Sequence, residues 1–123
     1  IIVTIVAAIS KQEIPKKLEL PKEDVKGEDF IDVPRFPGSV RINYENCSES
    51  VSVKYLASAN ITAVTEYYVI ELPAKGWALE GMTVGGNKTE IYATKMKLGY
   101  VVVEIESSNN GFTYIDILFI LYH

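Results

Sequence analysis

The sequence predicts an α+β fold: one helix packed on a mainly antiparallel sheet, in the order strand, strand, helix, strand, strand, strand, strand. Three observations carry that expectation. Only residues 60–74 combine apolar residues at helical spacing with a cap and a stop. From Val40 onward most other apolar residues recur at every second position, the period of a half-buried strand. Short turns rich in Gly, Asn and Ser separate those runs, which suits antiparallel hairpins better than long crossovers.

The chain opens on Ile-Ile-Val-Thr-Ile-Val-Ala-Ala-Ile, with no initiator methionine, as expected of a truncated or processed chain. Nine residues are too few to span a bilayer as a helix, which takes about 20. Two readings fit residues 1–10: the remnant of a signal or membrane anchor, or an extra buried strand, since the run is rich in β-branched side chains. The adjoining stretch favours the anchor. Residues 11–32 are rich in Lys and Glu and include Pro15 and Pro21, with Pro34 and Pro37 just beyond. Proline blocks regular helix and sheet and favours an extended path. The stretch reads as a solvated tether between an apolar terminus and a single folded domain at residues 33–123.

Within that domain, Pro37-Gly38 is a turn signal. Val40, Ile42 and Tyr44 alternate with Arg41, Asn43 and Glu45, which places the charged and polar set outward. After a polar turn, Val51, Val53, Tyr55 and Ala57 form the partner strand. Asn60 suits a helix N-cap, because its side-chain oxygen can accept an orphan N–H of the first turn. Ile61, Val64, Tyr68 and Leu72 make the apolar stripe. Pro73 strains the last turn, and Gly76 provides the left-handed residue that closes many helices. Trp77 and Leu79 begin a strand that ends at the Gly85-Gly86-Asn87 hairpin. The next strands lie around Ile91 and Ala93, then over Tyr100 to Glu106. Phe112 to Tyr122 is apolar enough for a central strand covered on both faces. The expected core is Val64, Tyr68, Leu72, Trp77, Leu79, Ile91, Val101 and Val103.

Composition narrows the function. The chain has 123 residues, 48% of them apolar, with net charge −4 and a pI near 5.0. That gives no support for nucleic-acid binding, which usually leaves a basic footprint. Cys47 is the only cysteine, so no disulfide can form within the chain; it reads as an incidental thiol or an intermolecular partner. His123 is the only histidine and is terminal, which excludes a multi-histidine zinc site or a histidine triad built from this chain alone.

Three patterns invite a chemical reading. Gly81 to Thr89 has the look of a phosphate-binding loop, but Asn87 breaks the spacing and the context is strand, turn, strand rather than the opening of a helix. Glu104 and Glu106 share a strand face, where a solvated carboxylate pair is a plainer reading than acid–base catalysis or a cation site. Asn46-Cys-Ser, Asn60-Ile-Thr and Asn87-Lys-Thr are glycosylation sequons at turns or a helix start, so Asn46, Asn60 and Asn87 are candidate acceptors. Asn, Ser and Thr also favour turns for their own reasons. No cofactor is implied, and no enzyme.

The sheet offers one more feature. If Val101, Val103 and Ile105 face the helix, then Tyr100 and Val102 face away, and the same alternation gathers Met82, Tyr92, Met96, Tyr114, Leu118 and Ile120 on that far side. Met82, Tyr92, Tyr100 and Tyr114 are therefore the candidate contact surface for a protein partner or for self-association; the alternative is that Ile1 to Ile9 or the tether folds back over that side.

Val33-Pro-Arg-Phe-Pro-Gly-Ser39, with Tyr67-Tyr68, Leu72 and Gly76-Trp77, resembles a small domain of uncharacterised archaeal and bacterial exported or lipid-anchored proteins. Its pattern is Tyr/Phe-Pro-Gly-Ser/Ala, then Phe-Tyr, three residues, Leu, three residues, Gly-Trp. Phe36 and Tyr67 stand at its aromatic positions, and the likeness covers about residues 33 to 121. It implies an α+β fold and export, and no activity. Cys47 is not placed like a lipid-attachment cysteine. The functional expectation is a non-catalytic extracytoplasmic module, membrane-anchored by its N-terminus or secreted. The alternative is a pilin-like or membrane-complex subunit that assembles through the apolar N-terminus.

Overall fold

The computed structural model of the chain describes residues 20–108 and 110–122. The apolar segment at 1–10 and the first part of the expected tether, to residue 19, lie outside the described residues. The fold is α+β. Its elements are β1 (Val40–Asn46), β2 (Ser50–Ala57), α1 (Ile61–Ala74), β3 (Ala78–Val84), β4 (Lys88–Lys95), β5 (Gly99–Ser107) and β6 (Thr113–Leu121). The strands form one sheet in the order β1-β2-β6-β5-β4-β3, and every neighbouring pair is antiparallel.

The helix begins where Asn60 accepts the Ala63 N–H at 2.8 Å. It ends in a Schellman closure: the Trp77 N–H donates to the Leu72 carbonyl and the Gly76 N–H to the Pro73 carbonyl, both at 3.0 Å. Gly76 has φ +95°, a conformation that costs little only for glycine. Val64, Tyr68 and Leu72 face the sheet with no exposed surface. They join Ile91, Val101, Val103, Ile105, Ile115 and Ile117 in the core.

The helix covers only the β3-β4-β5 part of that face. The rest is closed by a strap of irregular chain, residues 24–36. The sequence expects a solvated tether over residues 11–32, and residues 24–32 of that stretch are instead bonded to the fold. Val33 is 2% exposed, and the Phe30 ring lies 5.5 Å from that of Phe119. Trp77 Nε1 donates to the Asp32 carbonyl at 2.9 Å. The strap escapes a periodicity reading because proline and charge suppress any period. It binds through side-chain hydrogen bonds, which have no period to read.

Two β-bulges invert expected orientations. In β1 the register shifts between Arg41 and Asn43, so Arg41 lies opposite Tyr55 on the covered face and is 8% exposed, while Val40 lies opposite Leu56 on the far face. An inward arginine is sustained by its partners: Nε donates to the Val25 carbonyl, Nη2 to the Gly27 carbonyl and Nη1 to Asp29 Oδ1. In β3 the register shifts between Leu79 and Gly81. Because alternation has period 2, one extra residue sends every later side chain to the opposite face. Leu79, expected in the core, is 40% exposed, since β3 is the edge strand of the sheet.

Candidate functional site: the open face of the sheet

Strand β6 occupies the sheet interior between β2 and β5, and its covered-face residues Thr113, Ile115, Ile117 and Phe119 are buried. Its other side is not. Tyr114 is 38% and Leu118 36% exposed, so the apolar strand that read as covered on both faces is covered on one. No other element of the described residues lies over this second face.

The register lays the open face out in rows. Tyr92 stands beside Val102, Val102 beside Leu118, and Leu118 beside Ser52. In the next row Tyr100 stands between Thr94 and Ile120. Tyr92, Tyr100, Val102, Leu118 and Ile120 together make an apolar and aromatic band across β4, β5 and β6. On its far flank runs a polar row of Lys54, Asp116, Glu104 and Glu90. Beyond that row, Tyr114 lies between Leu56 and Glu106. A shallow depression of about 230 Å³ sits where band and row meet, lined by Ser52, Val102, Glu104, Asp116 and Leu118.

The polar row is only partly neutralised within the molecule. Lys88 Nζ lies 3.4 Å from Glu104, and Lys54 Nζ 4.0 Å from Asp116. The hydrogen bond to Glu104 raises the Lys88 pKa. The Tyr92 hydroxyl donates to Glu90 Oε1 at 3.1 Å, which raises the tyrosine pKa and fixes the direction of the ring. The carboxylates of Glu90, Glu104, Glu106 and Asp116 outnumber the lysines, so the face is acidic.

Of the candidate contact residues, the structure brings Tyr92 and Tyr100 together in the band and places Tyr114 on the same face across the polar row. Met82 is not there. It lies opposite Ile91, a covered-face residue, because the β3 bulge adds Glu80 ahead of it. The signal was Gly81, since a glycine inside a strand pattern often marks a bulge. Met96 lies in the turn between β4 and β5 and is 86% exposed. Val40 and Leu56 join the open face unforeseen, and no residue near Ile42 announces the bulge that puts Val40 there.

The other patterns resolve simply. Gly81 to Thr89 is strand, hairpin and strand, with the Gly85 N–H donating to the Lys88 carbonyl at 2.8 Å. Asn46, Asn60 and Asn87 are all exposed. Asn60 caps through Oδ1, which leaves its Nδ2, the atom a glycan would join, outside the cap bond. Cys47 is exposed and free. Among the described residues no group of His, Cys, Asp and Glu is placed to hold a metal ion, and no helix is long and apolar enough to cross a membrane. No protein-family model matches the chain, and no curated protein matches it.

Proposed function

We propose that this chain is a non-catalytic extracytoplasmic binding or structural module, tethered by its N-terminus, whose contact surface is the open face of the sheet. The observation that carries this reading is the band of Tyr92, Tyr100, Val102, Leu118 and Ile120, which no element of the described residues covers, beside an acidic row. Contiguous aromatic and aliphatic surface of this kind is uncommon on a monomer without a binding role. Tyrosine is enriched where proteins meet, because it offers a large rigid ring with a polar tip. The acidic row adds direction: the partner this face suits is a protein surface with an apolar centre and flanking Lys or Arg. Exposed sequons at Asn46, Asn60 and Asn87, and the resemblance to exported domains, support the extracytoplasmic placement.

The test is a Tyr92→Lys, Tyr100→Glu double variant of the full chain, confirmed to unfold like the parent. Immobilised on beads with membrane extracts, the parent retains a partner and the variant loses it, with salt sensitivity from the acidic row. Equal retention by both chains overturns the reading.

A further inference from the structure

Among the described residues nothing pairs with the outer edge of β3, and the strand along it is nearly palindromic. Among the described residues β3 pairs only with β4. The opposite edge of the sheet is closed at Arg41, whose carbonyl accepts the Val25 N–H and whose N–H donates to Asp24 Oδ1, both at 2.9 Å. Beyond the bulge, β3 carries neither lysine nor proline, the residues that usually guard an edge.

The hydrogen-bond polarity of this edge is set by the hairpin. Gly85 bonds to Lys88, so Gly85, Thr83 and Gly81 turn their backbone groups toward β4, and Met82 and Val84 turn theirs outward. The side chains of Met82 and Val84 both project on the helix side, 51% and 67% exposed. Beside Val84 a groove of about 270 Å³ runs under the first turns of α1, with Ile61 and Thr65 on its wall.

We propose that β3 pairs antiparallel with β3 of a second copy, about a two-fold axis at Thr83, joining the two sheets into one. The sequence selects both partner and register. Gly81-Met-Thr-Val-Gly85 reads glycine, apolar, threonine, apolar, glycine from either end. Centred on Thr83, Met82 of each copy meets Val84 of the other, and these are the residues whose N–H and C=O point outward, so each pair can exchange two hydrogen bonds. Thr83 meets Thr83 on the open face, a favourable cross-strand pair. Gly81 meets Gly85, where no side chain obstructs. A register centred on Met82 would set Glu80 against Val84, and one centred on Val84 would leave Met82 against Gly86. The pairing is isologous and therefore closes as a dimer rather than growing. It does not depend on the function proposed for the open face, although it makes that face continuous across two copies.

The experiment uses the full chain with Cys47→Ser, to remove the exposed thiol, and sedimentation over a wide concentration range. The expected result is a monomer–dimer equilibrium. Thr83→Lys and Thr83→Glu each lose the dimer, and mixing the two restores it, because lysine then meets glutamate at the axis. Thr83→Cys is expected to form an intermolecular disulfide under mild oxidation, since facing residues of a non-hydrogen-bonded pair lie about 4.5 Å apart between Cα atoms; Ala78→Cys is expected not to. A wild-type chain that stays monomeric overturns the proposal. So does a dimer that survives Thr83→Lys, whether it forms through the N-terminal segment or through the open face, the latter shown by loss in the Tyr92→Lys, Tyr100→Glu variant.

Discussion

Asp29 shows how one residue can hold a segment without secondary structure. Its Oδ1 accepts from Arg35 Nη2 at 2.8 Å, Arg41 Nη1 at 2.8 Å and the Tyr55 hydroxyl at 2.6 Å. Burial pushes the Asp29 pKa up, but the bonds from Arg35 and Tyr55 outweigh it and hold the carboxyl below its ordinary value. Asp24 is lowered too, first by Arg35 and then by the Arg41 N–H. Burial, and then the bond to Asp29, pushes the Tyr55 hydroxyl up. Asp29→Ala is expected to cost about 2–3 kcal/mol in urea unfolding, because it strands a buried tyrosine hydroxyl and an arginine. The depressed carboxyls set the sign of the pH dependence. Their stabilisation is complete above the unfolded carboxylate value, about 3.9, and is lost as pH falls through the lower folded values. Wild type should therefore lose more stability between pH 5 and acid than Asp29→Asn does. Gly76→Ala is a second residue-scale expectation. Its φ of +95° and a Cβ set 3.2 Å from Lys95 Cε should lower stability by about 1–2 kcal/mol, read as a shifted thermal midpoint.

At the scale of elements, α1 and the strap divide one face of the sheet. Leu72 sits at the foot of the helix stripe with no exposed surface, and Leu72→Ala should cost about 2–5 kcal/mol. The strap contributes Val33 and Phe30 to the same interior, and Gly27 passes so close to the Tyr44 ring that a Cβ would stand 2.5 Å from it. Deleting residues 1–30 should therefore lower the thermal unfolding midpoint, because Phe30 and its contact with Phe119 are lost. The helix stripe, the cap and the Gly76 stop were legible because a 3.6-residue period and local backbone chemistry are written in adjacent residues. The strap was not, because the bonds that dock it on the sheet run from Asp24, Asp29 and Asp32 to Arg41, Tyr55, Trp77 and Lys95, which lie in or next to other elements and carry no local pattern.

Across the whole molecule, Phe119 links the two covering parts. Its ring lies 5.5 Å from Phe30 in the strap and 5.8 Å, edge-on, from Trp77 after the helix. Phe119→Ala should cost about 3–5 kcal/mol and loosen strap and helix end together, measured by hydrogen exchange at Phe30 and Trp77. By itself the sequence determined the α+β class, the helix with both of its ends, the hairpin at Gly85-Gly86-Asn87, and the outward direction of Tyr92, Tyr100 and Tyr114. Each of these rests on short-range periodicity or turn chemistry. Only the tertiary structure decided that Met82 and Val40 exchange faces, that Arg41 points inward, that residues 24–32 belong to the fold, and that no element of the described residues covers one side of β6. Each of those depends on what stands opposite a residue rather than next to it. One bulge residue reverses the facing of the strand beyond it, and only a distant partner makes an inward charge tolerable.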